Sequence, residues 1–111
     1  MCQVQALKVA NALIDVNHAA REYVRNNDES SVHWFPCGFV TLTYKCRKNA
    51  TEAKALQDFG FRWDDYYKRY KLSAHHFTNS QSMHYQEDIM NAAALAAERL
   101  GVIFTVESRM D

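Results

Sequence analysis

The sequence predicts an α+β domain with the ferredoxin-like split βαβ order (βαββαβ), preceded by an N-terminal amphipathic helix and an extra edge strand. Two observations favour this fold class. From Phe39 onward, the hydrophobic periodicity indicates strand, helix, strand, strand, helix and strand in turn. The chain of 111 residues is also 48% hydrophobic and contains three glycines and one proline, which is typical of a single packed domain over residues 1–111.

The N-terminal helix is predicted over residues 4–25, because apolar side chains recur there at intervals of three and four. Its apolar stripe consists of Ala6, Val9, Leu13, Val16, Ala20 and Tyr23 or Val24. A polar connection, an edge strand at residues 32–35 and a loop with Pro36 then lead to a strand at residues 39–47. Alternation in this strand predicts a core face made of Val40, Leu42, Tyr44 and Cys46.

A short helix and a hairpin are predicted at the centre of the chain. Asn49 with Glu52 three residues later is typical of a capping box, and Gly60 is suited to end the helix in a left-handed conformation. The hairpin strands are predicted at residues 61–63 and 68–72. Between them, Asp64 and Asp65 are expected to accept local hydrogen bonds from the turn.

The C-terminal part of the chain predicts one more helix and a final strand. The helix is expected to begin near Ser80 or Ser82 and to end before Gly101, and the strand is expected over residues 102–107. Several alanines on the helix would allow it to approach a sheet closely. The buried face is predicted to contain Tyr85, Ile89, Ala92, Ala93, Ala96 and Leu100.

Charge is distributed unevenly along the chain, although the formal net charge is zero. Residues 45–71 contain eight basic and four acidic side chains, so the middle of the chain is locally positive. This local excess is an electrostatic indication of a partner. The neutral total disfavours non-specific polyanion binding as the main activity.

The same central region contains the pattern Gly-Phe-Arg-Trp-Asp followed by a lysine and an aromatic residue. The residues of the pattern are Gly60, Phe61, Arg62, Trp63, Asp64, Lys68 and Tyr70. Residues 56–70 resemble a segment of small proteins and accessory domains of phages and plasmids, in which Pro usually stands at the position of Asp65 and Trp near that of Tyr70. The resemblance implies a mobile-element origin. It favours a non-catalytic protein that docks on a host component, for example an anti-CRISPR or another host-defence inhibitor.

Two binding hypotheses fit the central hairpin. In the first, the hairpin docks on a host protein or ribonucleoprotein complex, because Tyr and Arg dominate the binding energy of protein interfaces. In the second, its aromatic rings stack on the bases of a single-stranded nucleic acid while its cations contact phosphates. The partner-binding residues predicted by both hypotheses are Arg62, Tyr66, Tyr67, Lys68, Arg69 and Lys71. The outer sheet face would be basic if it joined Tyr67, Arg69 and Lys71 to Thr41, Thr43, Lys45 and Arg47.

Other kinds of site are not indicated by the sequence. It contains no Gly-rich phosphate loop, nucleophile motif or carboxylate constellation, so no catalytic residue is expected. No metal or other cofactor is expected either, because the spacing of the His and Cys residues matches no standard zinc site. The residues considered as ligands are His33, Cys37, His75, His76 and His84. Without a secretion signal or a long apolar run, a cytoplasmic protein without a membrane span is expected.

Overall fold

The computed structural model of the chain describes residues 2–27, 38–80 and 82–110. This part of the chain forms helices and strands in the order α1 (Cys2–Asn26), β1 (Gly38–Tyr44), α2 (Ala53–Phe59), β2 (Arg62–Asp64), β3 (Arg69–Ser73), α3 (Met83–Glu98) and β4 (Thr105–Met110). A single 3-10 turn, Ala74–His76, connects β3 to α3. The predicted α+β class is therefore confirmed. The edge strand predicted at residues 32–35 lies outside the described residues.

The four described strands form one sheet in the order β2-β3-β1-β4, and each neighbouring pair is antiparallel. The central strand β1 has its alternating apolar residues on one face, where Leu42 lies opposite Leu72 of β3 and Val106 of β4. This face carries the core, because Val40, Leu42 and Leu72 are buried. The predicted alternation of β1 is confirmed for the residues that the strand contains.

The helices cover the apolar face of this sheet: α3 packs on β1 and β4, and α1 packs on α3 and α2. In α1 the predicted buried residues Val9, Leu13, Val16 and Ala20 are confirmed. In α3 the prediction was partly wrong. The helix ends at Glu98, so Leu100 lies beyond it and is exposed, and the buried face is completed by Gln86, Met90 and Ala97. Ala92 and Ala96 are only partly buried.

The predicted capping box at the start of α2 was wrong. The residue before the helix is Glu52, and its side chain makes no capping hydrogen bond. The Glu52 carboxylate is instead buried and accepts a hydrogen bond of 3.0 Å from the hydroxyl of Tyr44. Burial raises the pKa of Tyr44 to about 12. Gly60 ends the helix as predicted, since its φ of +130° lies where L residues are strained.

Both longer strands differ in extent from their predictions. β1 ends at Tyr44 rather than at residue 47, because the chain turns away toward α2. β4 begins at Thr105 rather than at residue 102. Val102 and Phe104 are buried as their alternation indicates, but they reach the core from the connection that precedes β4. Residues 45–48 are consequently free of the sheet and form a separate segment of the surface.

A buried polar side chain, Gln86, links α3 to the start of β1. Its carbonyl oxygen accepts from the backbone N–H of Val40 at 3.1 Å. Its amide donates to the carbonyl of Gly38 at 3.0 Å and to that of Ser80 at 2.9 Å. Gln86 is 0% exposed, so a side chain satisfies three backbone groups that water cannot reach.

Candidate binding surface at the β2–β3 hairpin

The turn between β2 and β3 is built on one aspartate. Oδ1 of Asp64 accepts from the backbone N–H of Tyr66 at 3.0 Å and from that of Tyr67 at 3.2 Å. These hydrogen bonds, the Tyr67 bond first, hold the pKa of Asp64 below its usual range. Lys68 then adopts a positive φ of 56° where the chain enters β3. The predicted role of Asp64 as a local acceptor is confirmed, but Asp64 is the last residue of β2 and the turn itself covers residues 65–68. The two hydrogen bonds fix the backbone of the hairpin tip.

Two tyrosine side chains project from this tip into solvent. Tyr66 is 83% exposed and Tyr67 is 63% exposed. Their rings meet edge to face with centroids 4.7 Å apart, and the guanidinium of Arg69 lies 4.8 Å from the Tyr67 ring centroid. The tip therefore presents two large rings that already have a defined arrangement before any partner binds.

The Arg69 guanidinium also spans the outer face of the sheet. It makes a two-pronged ion pair with the carboxylate of Glu107 on β4. The register shows that this pair crosses β1 diagonally. Thr43 of β1 lies opposite Lys71 of β3 and Thr105 of β4. Arg69 lies two residues from Lys71 toward one end of β1, and Glu107 lies two residues from Thr105 toward the other end. The pair consequently passes over Thr43, which is only 4% exposed.

The other cations of the hairpin differ in their partners. Nζ of Lys68 lies 3.3 Å from Asp65, and Nζ of Lys71 lies 3.6 Å from Asp64. The indole N–H of Trp63, with Lys68 next in effect, holds the pKa of Asp65 below its usual range. Arg62 is exposed and has no ion-pair partner among the described residues. Three of the four predicted hairpin cations are thus already neutralised by carboxylates of this chain.

The six residues predicted to bind a partner lie together on the hairpin, but they divide between two locations. Tyr66, Tyr67 and Lys68 form the tip, while Arg62, Arg69 and Lys71 lie on the outer sheet face. A groove of about 610 Å³ runs along this face, and none of its lining residues belongs to a described helix. Its walls are formed by Phe39, Thr41, Asp64, Tyr67, Arg69, Lys71, Glu107, Ser108 and Arg109.

The expectation that Lys45 and Arg47 extend the outer face was wrong, because β1 ends before them. They belong to the 45–48 segment, which forms a second groove of about 500 Å³ with Trp63 and Lys68. The hydroxyl of Tyr70 holds this segment by donating to the carbonyl of Lys48. The sequence does not predict this groove, because the alternation pattern extends the strand through residues 45–47.

The described histidines have structural neighbours. Nε2 of His75 lies 3.2 Å from the carbonyl of Ser80, and the ring of His76 stacks on Phe59 with centroids 5.3 Å apart. Burial, with Arg21 next in effect, lowers the pKa of His76. Within the described residues, no three His, Cys, Asp or Glu side chains are grouped as metal ligands. His33 and Cys37 lie outside the described residues.

We expect the thiol of Cys46, in the wall of the second groove, to react slowly with alkylating reagents. Burial, followed by the carboxylate of Glu52, raises its pKa from 9.0 to about 11. The thiolate fraction at pH 8 falls about 100-fold, and the higher nucleophilicity of the remaining thiolate offsets part of this fall. Alkylation of a Cys2→Ser/Cys37→Ser variant should be about tenfold slower when folded than in urea. Equal rates in the two conditions would contradict the shielding of this thiol.

None of the described helices combines the length and the apolar character that a membrane span requires. Comparisons with protein-family models, with curated proteins and with solved structures found no match. The geometry of the hairpin and of its two grooves is therefore the basis for assigning a function.

Proposed function

We propose that this chain is a small non-catalytic binding protein that docks the tip of its β2–β3 hairpin on a host protein or ribonucleoprotein complex. The observation that carries the proposal is the exposure of Tyr66 and Tyr67 on a turn whose backbone is held by Asp64. Tyrosine is enriched at interface hot spots, and it buries a large area at a small cost in side-chain entropy. A turn that is ordered beforehand lowers the entropic cost of docking further.

The ion pairs of the hairpin favour a protein partner over phosphates at this position. Lys68, Arg69 and Lys71 are each paired with a carboxylate of this chain. A phosphate at these side chains would have to displace the carboxylate or bind close to it. Tyr66 and Tyr67 need no such exchange, because both side chains are already largely exposed to solvent. The hairpin therefore suits a protein surface better than it suits a nucleic-acid backbone.

The mobile-element origin remains part of the proposal. In the segment that resembles phage and plasmid proteins, Gly60 ends α2, Phe61 is buried and Trp63 contacts Tyr70 edge to face at 5.0 Å. The residues of the pattern thus support the hairpin, and its exposed tip is left for recognition. Inhibition of a host defence system in the cytoplasm, as by an anti-CRISPR protein, is one concrete form of this function.

We also assign the fold to the ferredoxin-like split βαβ arrangement. The strand order supports this assignment, because β1 and β2 are parallel to each other with β3 between them. In the same way, β3 and β4 are parallel with β1 between them. Each pair is connected through a helix, so the two strand–helix–strand units interleave in one sheet.

Photo-cross-linking from the tip tests the docking proposal. A Tyr66→p-benzoylphenylalanine variant, irradiated in a lysate of the host, should cross-link to one protein with nuclease present as well as without it. Tyr66→Ala/Tyr67→Ala should weaken binding to that protein at least about 30-fold, as expected for loss of a hot spot. Circular dichroism should show that this variant stays folded.

The matched control removes exposed apolar groups from another surface. Leu7→Ala/Ile14→Ala truncates two side chains on α1 that are exposed to a similar degree, and it should leave binding within about threefold of the wild type. Cross-links formed exclusively with nucleic acid would contradict docking on a protein. Equal loss of binding in both double variants would show that the tip has no special role.

A further inference from the structure

The second groove concentrates positive charge on three side chains that form no ion pair with the described residues. Lys45, Arg47 and Lys48 are exposed, and none of them has an ion-pair partner among the described residues. The nearby carboxylate of Asp65 already accepts hydrogen bonds from Trp63 and Lys68. This contrasts with the hairpin, where each of three cations has its own carboxylate. The groove therefore has capacity for an external anion.

The same groove contains an aromatic ring in a fixed position. Trp63 lines the groove and is only partly buried. Its indole N–H donates to Oδ1 of Asp65 at 3.2 Å, and its ring contacts Tyr70 with centroids 5.0 Å apart at an interplanar angle of 64°. The indole is thus held at two points, which makes it a ready surface for stacking.

We infer that this groove binds a single-stranded nucleic acid, with a base against Trp63 and the phosphates on either side near Lys45, Arg47 and Lys48. A flat ring flanked by unpaired cations is complementary to a ligand in which flat rings and anions alternate. Base stacking tolerates any sequence, and no base-reading side chain is needed for it. The ligand class is a phosphodiester strand, either RNA or DNA.

An acidic peptide fits the groove less well. A peptide that added to the sheet here would have to pair with β2, which is three residues long and offers few backbone hydrogen bonds. A peptide held through its carboxylates alone would leave the Trp63 ring without a stacking partner. The nucleic-acid ligand uses both the ring and the cations, so it accounts for more of the groove.

This inference goes beyond docking by the hairpin tip, since it depends on different side chains. Lys45, Arg47, Lys48 and Trp63 form one surface, and Tyr66 and Tyr67 form the other. If both surfaces are used together, the partner is a protein that carries an RNA or DNA strand. Each surface can also be tested while the other stays intact.

Fluorescence of the groove tryptophan is a direct test. In a Trp34→Phe background, Trp63 is the sole tryptophan, so quenching by a stacked base reports its own contact. We expect titration with oligothymidylate or oligouridylate of about 15 nucleotides to quench this fluorescence. The oligonucleotide that quenches more strongly identifies the natural ligand as DNA or RNA. Lys45→Ala/Arg47→Ala/Lys48→Ala should weaken binding at least tenfold and lower the salt slope of log K by about 2.

The control variant removes the same number of positive charges from exposed positions outside the groove. Lys8→Ala/Arg25→Ala/Arg99→Ala should bind the oligonucleotide within about twofold of the wild type. A Trp63→Phe variant should keep most of the affinity and Trp63→Leu should lose it, as measured by fluorescence anisotropy of a labelled strand. Comparison of the phenylalanine and leucine variants keeps the test valid where a smaller side chain, such as alanine, at position 63 would disturb the fold.

Three results would overturn the inference. The first is that the two triple variants weaken oligonucleotide binding equally. The second is that neither oligonucleotide quenches the fluorescence of Trp63 at low salt. The third is that polyglutamate binds more tightly than either oligonucleotide. The last result would identify an acidic protein segment as the ligand. Failure of this site leaves cross-linking from Tyr66 unaffected, so the two proposals are tested separately.

Discussion

Replacement of Gln86 by leucine is expected to lower the free energy of unfolding by about 2 to 4 kcal/mol. Leucine has a similar volume but no polar atoms, so the N–H of Val40 and the carbonyl of Gly38 would lose their partner inside the core. The carbonyl of Ser80 would lose the Gln86 amide but keep its contact with Nε2 of His75. A buried backbone group without a partner costs about 1 to 3 kcal/mol. The additional apolar contact of leucine offsets part of this loss.

Urea denaturation followed by circular dichroism measures this effect. The matched control is Asn91→Leu, which makes the same kind of change at an exposed position of α3 and should alter stability by less than about 0.5 kcal/mol. Hydrogen exchange of the Val40 amide in the wild type provides a second readout, and strong protection is expected there. A Gln86→Leu variant as stable as the wild type, or rapid exchange at Val40, would show that these hydrogen bonds contribute little.

Reversal of charge at Arg69 is expected to destabilise the fold by about 2 kcal/mol. The Arg69→Glu variant loses the ion pair that crosses β1 and places a second carboxylate near Glu107. The arginine side chain is 22% exposed, so its contribution lies between those of a surface pair and a buried pair. The contact of the guanidinium with Tyr67 is lost as well.

A double-mutant cycle isolates the contribution of this pair. The swapped variant Arg69→Glu/Glu107→Arg should recover at least about 1 kcal/mol relative to the sum of the single changes. Arg62→Glu is the control, because this arginine is exposed on the same face and has no ion-pair partner among the described residues; its effect should stay below about 0.5 kcal/mol. Strict additivity of the two single changes would mean that the pair does not couple the strands.

The elements that the sequence predicted well are those determined by local physics. The three- and four-residue spacing in α1 comes from the period of the helix itself, and the alternation in β1 comes from the pleat. Gly60 ends α2 because of its own backbone freedom, and Asp64 forms the turn with residues two and three positions away. In each case the neighbours that decide the conformation are close in sequence.

The features that the sequence did not predict depend on contacts between different elements of the fold, most of them far apart in the chain. Gln86 bonds to backbone groups 46 and 48 positions away, so its polar side chain gave no sign of a core position. Glu52 does not form the expected cap, because its carboxylate accepts from the hydroxyl of Tyr44 on β1, eight residues earlier. Arg69 was predicted to be free for a partner, but Glu107, 38 residues later, lies within its reach. At each of these positions, a contact with another element of the fold determines the role of the side chain, and its neighbours in the sequence do not.

The hydroxyl of Tyr70 connects the buried core to the 45–48 segment on the surface. The ring is fully buried, while its oxygen accepts from the Gln57 amide at 3.0 Å and donates to the carbonyl of Lys48. A phenylalanine at this position would keep the packing and release the 45–48 segment. A nucleic-acid strand that binds the second groove would then have to order the 45–48 segment itself. The substitution in the interior would therefore slow the association of the nucleic acid and make its binding entropy less favourable.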